Sequence, residues 1–332
     1  MKKNIKRFPR AKLRKAGGVL ETADVLSVFH DEGRRADAKA FAELMKHIKQ
    51  LDEHHSTVVM VQVENESGLL GDSRDGCPAA SKKFSEPVPS DLSRFLRDEW
   101  SALHPDLTTN LAYFKGQPDL TLGGDWETVF GKGPKTDELF MAYHYAQYVD
   151  AIAAAGKAAY PIPMYTNVWM NSISEKSISS FPTLAGGGQS PGEYPSGGAT
   201  SNVLDIWQKF APSLDFISPD IYLGDYTSSC SNYCHRGQPL FIPEQRRDDF
   251  GARHIWIAVG SYAAIGVAPF GIDTLKPNDN VFPKHYGLLK LVSPIILDAQ
   301  RRPGSSVGFC FDEISEASIG GNEQVIRQWD GY

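Results

Sequence analysis

The sequence predicts an α/β fold of buried parallel strands alternating with helices, the arrangement of a β/α barrel. Short apolar runs such as 58–63 (VVMVQV) and 240–242 (LFI) lack a sustained polar-apolar alternation. That is the pattern of strands covered on both faces. Helix-length segments separate successive runs, and strand, long crossover and strand repeated down the chain specifies parallel βαβ units. With 332 residues, 41% of them hydrophobic, the chain can bury a sizeable core in one large domain.

The elements follow in order. From about Arg34 to Leu51, Phe41, Leu44, Met45, Ile48 and Leu51 share one helical face. The strand 58–63 comes next, then a long polar stretch, 69–89. Ser90 is placed to cap a helix whose apolar side is Leu92, Phe95 and Leu96. Residues 136–160 form a long Ala-rich helix leading into a strand, PIPMYTNVW, that ends at Asn167 and Trp169. Residues 170–201 are rich in Gly, Ser and Pro; a loop this long is a lid or binding wall, or else disordered. A helix over 201–210 turns Val203, Leu204, Ile206 and Trp207 inward. The strand 214–222 (LDFISPDIY) then ends in Asp220 and Tyr222, and PLFIPEQ (239–245) ends in Glu244. A helix over 248–260, a strand within 263–273, a helix over 284–300 and a last strand over 305–311 complete the pattern.

The chemistry sits where apolar runs stop. The run 58–63 gives way to Glu64, Asn65 and Glu66, and 240–242 to Glu244. A strand buried on both faces cannot carry free carboxylates along its length, so these groups fall at its carboxyl end, where barrels and open α/β sheets place their sites. Two glutamates so placed suit hydrolysis of a glycosidic bond. One protonates the leaving oxygen, and the other attacks or stabilises the oxocarbenium-like centre. The plainer reading, in which Glu64 and Glu66 open a solvated loop, is weighed against four strand ends bearing sugar-binding residue types: Asn65/Glu66, Asn167/Trp169, Asp220/Tyr222 and Glu244.

Charge and cysteine content narrow the alternatives. A net charge of −6 argues against a nucleic acid or an anionic membrane as partner. The basic start (Lys2, Lys3, Lys6, Arg7, Arg10, Lys12, Arg14, Lys15) is not followed by the apolar segment of an export signal; it reads as a solvated basic loop, with a targeting peptide second. The compartment stays open. Cys77, Cys230, Cys234 and Cys310 are too few for a disulfide scaffold. Cys230, Cys234 and His235 invite a metal reading, but no second ligand pair stands at zinc-site spacing. A local disulfide or free loop thiols are the competing readings. No Gly-rich phosphate loop ends a late strand, and no Lys sits where a Schiff base would need it.

The motifs VQVENE, PxPMYxNxW, PSGG, APSxDFxxPDIY, PLFIPE and PFGID together resemble the catalytic barrel of glycoside hydrolase family 35, the β-galactosidases. The likeness runs from about Phe8 to the C-terminus. It implies a (β/α)8 TIM-barrel fold and a retaining hydrolase that removes terminal non-reducing β-D-galactose by double displacement. By this resemblance Glu66 is the acid/base, Asn65 its neighbour on the sugar 2-hydroxyl, and Glu244 the nucleophile. Asn167, Trp169 and Tyr222 match positions lining the sugar pocket. The two carboxyls of such a pair stand roughly 5–5.5 Å apart. The substrate implied is a β-galactoside oligosaccharide or polysaccharide, and no metal or organic cofactor is required. The family's usual ENEYG reads ENESG here, so Ser67 replaces an aromatic.

If 58–66 is the fourth barrel strand, the first three have no counterpart in residues 1–57, where a basic loop-like segment (1–33) precedes one helix. The expectation is therefore a partial barrel over 34–300, lacking its first three strands, followed at 301–332 by the start of a β-rich region. Two other functions stay open. One is a catalytically inactive carbohydrate-binding remnant or truncated fragment; the other is a different glycon, such as glucose or mannose.

Overall fold

The computed structural model describes residues 4–116, 123–171, 187–276 and 280–310. The chain divides into two compact units, Met1–Ile217 and Ser218–Tyr332, each described by itself.

The first unit opens with an antiparallel hairpin, β1 (Arg10–Arg14) and β2 (Leu20–Leu26), whose register shifts between Arg10 and Lys12. The sequence predicts a solvated basic loop here. The basic residues are instead distributed along a two-stranded ribbon with Gly17 and Gly18 at positive φ in its turn. Backbone and side-chain bonds tie β1 to the segment that follows residue 71. The Lys12 N–H donates to Asp75 Oδ1 (2.9 Å), and the Gly76 N–H to the Lys12 carbonyl (2.7 Å). The Arg14 guanidinium donates to Asp72 Oδ1 (2.7 Å) and to Asp137 Oδ2 (2.8 Å).

Helix α1 (Asp31–Asp52) packs on α7 (Pro134–Ala159). A side chain at Gly156 would lie 2.3 Å from the Phe41 ring, so the absent Cβ is what lets the helices close. The buried stripe of α1 is narrower than its periodicity suggests: Met45 is fully buried, while Leu44 and Leu51 are 50% and 65% exposed.

Between these helices run β3 (Val61–Gln62), α2 (Pro78–Phe84), α3 (Ser90–Asp98), α4 (Pro105–Asn110), α5 (Ala112–Lys115) and α6 (Trp126–Phe130). Strand β3 is shorter than 58–63, and Val59 is 63% exposed. Among the described residues β3 bonds along one side, to β4 (Met164–Trp169), in parallel, with Val61 opposite Met164 and Gln62 opposite Tyr165. The ladder holds only where β4 runs alongside. Pro89, not Ser90, occupies the cap of α3, and Ser90 begins the helix.

Helix α7 forms the core with Trp126, Phe130 and Phe140, whose rings meet at 5.0–5.7 Å. Helix α8 (Leu204–Phe210) covers it, and the Trp207 indole donates to the Gly197 carbonyl at 3.0 Å. Strand β5 (Phe216–Ile221) begins in this unit, with the Asp215 N–H on the Met164 carbonyl (2.7 Å) and Phe216 stacked on Tyr165.

In the second unit β5 lies parallel to β6 (Phe241–Gln245), and β6 parallel to β7 (Gly266–Pro269). The crossovers are α9 (Tyr226–Tyr233) and α10 (Asp249–Ser261), and α11 (Phe282–Gln300) follows β7. The segment around Cys230 is therefore helical rather than a loop: the Asp225 carboxylate caps its first turn. Cys77, Cys230 and Cys234 are free thiols, so Cys230 and Cys234 form no local disulfide. No strand forms over 305–310, where the Gly308 N–H instead donates to Ser261 Oγ (2.9 Å). The rest of the expected β-rich region, like residues 172–186 of the 170–201 loop, lies outside the described residues.

Parallel strands joined by helical crossovers make this an α/β fold of (β/α)8 TIM-barrel type. Its parallel strands in chain order are β3 to β7. Among the described residues before β3 there is only the antiparallel hairpin and one helix, so no parallel strand precedes β3 there, consistent with a partial barrel.

The Arg14–Asp72 bond sets a pH dependence. Burial pushes the Asp72 carboxyl up, but the Arg14 hydrogen bonds and charge outweigh it and hold it below its ordinary value. A depressed carboxylate contributes stability above its unfolded pKa, near 4, and loses it as pH falls through the lower folded value. Chemical denaturation of wild type and Asp72→Asn is expected to show a gap that is full at pH 7 and shrinks below about pH 4. A gap independent of pH would contradict the pairing.

Candidate active site

The carboxyl end of β3 is a tight, unusual turn. Glu64 and Glu66 both take positive φ, 59° and 45°, a region that costs an L-residue roughly 1–2 kcal/mol. Three side-chain amides hold it. Asn167, two residues past the β4 position opposite Gln62, turns its Oδ1 toward the turn. That oxygen accepts the Glu66 N–H (2.9 Å) and the Gln62 Nε2–H (3.0 Å). The Asn167 Nδ2 donates to Asn65 Oδ1 (3.2 Å), and the Asn65 amide reaches Glu66 Oε2 at 3.4 Å. Gln62 also donates to the Glu64 carbonyl (3.0 Å). Asn167 is buried and Glu66 half-buried, so a rigid amide supports a carboxylate that solvent can reach.

The PSGG motif braces the same turn from behind. Leu69 and Ser196 exchange both backbone hydrogen bonds (3.0 and 2.9 Å). A Cβ on Gly198 would lie 2.5 Å from the Ser67 carbonyl oxygen, so glycine is required at that approach.

In front of the turn lies a cleft of about 400 Å³, lined by Glu64, Asn65, Glu66 and Ser67 together with Arg10 and Tyr148. The hairpin that the sequence left as a loop thus supplies one wall. Burial first, and then the Asp37 charge, raise the Glu64 carboxyl above its ordinary value. Tyr148 donates to Asp37 behind it.

Trp169 lies two residues beyond Asn167, on the same face of β4. Its indole N–H is buried and has no hydrogen-bond partner among the described residues, which leaves a donor at that strand end.

The second unit carries its own group. Register sets Glu244 opposite Asp220, and the β6–β7 pairing shifts between Ile242 and Gln245, an irregularity of the kind that re-aims side chains beside active sites. The Tyr222 hydroxyl donates to Glu244 Oε2 at 2.7 Å. Gln245 is fully buried, accepting from the Tyr226 hydroxyl (2.8 Å) and donating to the Gly251 carbonyl (2.8 Å). It anchors the strand end next to Glu244. Phe270 stands edge-on to Tyr222, with ring centroids 6.3 Å apart, and is 54% exposed.

Within the first unit, then, Asn65, Glu66 and Asn167 come together, with Trp169 at the same strand end; within the second, Tyr222 and Glu244 are bonded. Sequence reasoning missed Gln62, Phe270 and the hairpin wall. Gln62 carried a signal, as the one long polar side chain inside an apolar run. Phe270 stood in a quoted motif without a role.

No protein-family model and no curated protein matches the sequence, so the family resemblance stands on its motifs. Among solved structures, the catalytic domain of the β-amylase from Paenibacillus polymyxa is similar over 87% of this chain and 74% of its own, at 12% identity and a TM-score of 0.49. The cold-adapted β-galactosidase from Rahnella sp. R3 is similar over 80% of this chain and 37% of its own, at 14% identity and a TM-score of 0.41.

Removing the Asn167 amide strands two donors and frees a strained turn. Asn167→Ala is expected to destabilise by about 1–3 kcal/mol, the cost of leaving two part-buried donors unpaired. Asn65→Ala, at an exposed residue, should cost under about 1 kcal/mol. Chemical denaturation of both variants measures the difference, and equal costs would remove Asn167 from its supporting role.

Proposed function

We propose that the chain is a retaining glycoside hydrolase that releases terminal non-reducing β-D-galactose, with Glu66 as acid/base and Glu244 as nucleophile. The observation that carries the reading is that each glutamate ends a parallel strand and is oriented by a neutral hydrogen-bond donor. Glu66 has the Asn65 amide, itself held by the Asn167 Nδ2, and Glu244 has the Tyr222 hydroxyl. The galactose assignment and the two roles rest on the motif resemblance.

The chemistry is a double displacement. A Glu244 carboxylate oxygen attacks the anomeric carbon while Glu66 passes its proton to the departing aglycone oxygen. A galactosyl ester on Glu244 results. Water then attacks the same carbon as Glu66 takes its proton, and the ester bond breaks to return Glu244 as a carboxylate. The reaction requires both carboxyls to flank one glycosidic bond. The Tyr222 O–H holds Glu244 in one orientation for attack. Asn65, with its amide already fixed by Asn167, is suited to the 2-hydroxyl, whose hydrogen bonds strengthen in the transition state. Trp169 offers its N–H to a further hydroxyl, and Phe270 an apolar face beside Tyr222.

Turnover of a panel of aryl β-glycosides tests this. Release from the galactoside that falls by at least about a thousandfold in Glu66→Gln and Glu244→Gln is the expected result. Tyr222→Phe should lower kcat by roughly tenfold or more, the worth of one hydrogen bond to a charged group. Turnover that survives in either glutamine variant would dismiss the assigned roles. Saccharide binding with no turnover in wild type would favour a binding protein instead.

A further inference from the structure

Beside the Glu66 cleft, the first unit holds a second cleft of about 600 Å³ at the start of α1. Five cations line it, Lys6, Arg7, Arg34, Arg35 and Lys83, against two carboxylates, Asp31 and Glu32. The whole chain carries −6, so this wall runs against the overall balance. Both carboxylates are already engaged. Glu32 accepts from Arg7 (3.1 Å) and Arg35 (2.9 Å), and Asp31 from Arg34 (2.9 Å). Lys83 stands 3.8 Å from Glu86, a residue outside the cleft lining, and Lys6 has no ion pair among the described residues.

The first turn of α1 faces the same space through His30, Asp31 and Glu32, and the His30 side chain makes no capping bond there. The leading amides of a 22-residue helix add a preference for anions to that of the cations. His144, on the wall, is held neutral by burial and then by the Lys83 charge, its pKa lowered to about 3. It offers a hydrogen bond without adding charge.

The two clefts adjoin, because Val28 and Tyr148 line both. Their charges are opposite: around Glu66 the lining carries Asp24, Asp37 and Glu64 against Arg10 alone. An anionic ring is repelled from the Glu66 cleft and attracted to its neighbour, whereas a neutral ring has no such conflict. Guanidinium forks match the paired oxygens of a sulfate ester or carboxylate.

We infer that the basic cleft binds an anionic sugar unit, bearing a sulfate ester or a carboxylate, in a saccharide whose neutral unit occupies the Glu66 cleft. The second half of this assignment rests on the glycosidase reading; the anionic preference of the basic cleft does not. Substrate selection would then lie partly outside the reacting residues, in the hairpin-flanked start of α1.

Titration calorimetry on the full chain tests it with β-galacto-oligosaccharides of equal length, one neutral, one sulfated and one carrying a uronate, and with inorganic sulfate alone. One of the charged sugars is expected to bind on the order of tenfold more tightly than the neutral one, and which of them does so identifies the anion. The advantage should shrink in high salt, disappear in Lys6→Gln/Lys83→Gln and return in Lys6→Arg/Lys83→Arg. If the double variant melts early, Lys6→Gln alone takes its place, with a partial loss expected. Equal binding of neutral and charged sugars, an advantage that survives in the glutamine variants, or inorganic sulfate binding as well as the sulfated sugar would each overturn the inference. Charged-sugar binding with no aryl galactoside turnover would sink the glycosidase reading and leave the anionic cleft standing. Turnover with no charge preference would do the reverse.

Discussion

The turn after β3 depends on one buried amide. Glu64 and Glu66 adopt a backbone conformation that non-glycine residues avoid, and the sequence supplies no glycine there to relieve it. What holds the turn is Asn167, reaching across from β4 to accept the Glu66 N–H and to donate to Asn65. Backbone strain of this kind persists only where its surroundings over-determine it, and it collects at functional sites. Glu66 lines a cleft that solvent can reach, while the peptide behind it is held by Asn167. The PSGG loop serves the same end, since Gly198 lets that loop press against the Ser67 carbonyl.

The hairpin is the second element on which the first unit's cleft depends. In a complete barrel, neighbouring strands would flank β3; here, β1 and β2 contribute Arg10, Asp24 and Leu26 to the wall in front of it. The ribbon is fixed by its own ladder and by Asp72, Asp75 and Asp137, which take Arg14 and the Lys12 amide. A basic N-terminal segment meeting a set of acidic anchors explains why a stretch of ordinary loop composition takes a defined form. The same segment continues into the start of α1, where its cations outnumber the carboxylates that pair with them. Structure and charge selection therefore share one piece of chain.

Much of the architecture was legible because it rests on local pattern. Short apolar runs located β3 to β7, apolar helical faces located α1 and α3, and the helix-length segments between strands located α7, α10 and α11. What failed did so for tertiary reasons. The strand at 58–63 shortened to Val61–Gln62 because a ladder needs a partner alongside. Leu44 and Leu51 look like core on a helical wheel, yet α7 covers only part of that face. The hairpin was invisible because its stabilising partners lie more than fifty residues away, at Asp72 and Asp75. Helix α9 was read as a loop from its serines and cysteines, and it forms because Asp225 caps its first turn. Of the candidate site, Asn65, Glu66, Asn167, Trp169, Tyr222 and Glu244 could be named from strand ends and motifs. The bonds among them, and the part played by Gln62, required coordinates, since nothing in a linear sequence says which amide faces which.

The account turns on Glu244 as a nucleophile held by Tyr222. A 2-deoxy-2-fluoro-galactosyl fluoride forms a glycosyl ester faster than the ester hydrolyses, so the intermediate of a double displacement accumulates. Mass spectrometry of the treated protein should show one added fluorogalactosyl group, located after digestion on the peptide containing Glu244. Absence of a stable adduct, or an adduct on any other carboxylate, would contradict the account.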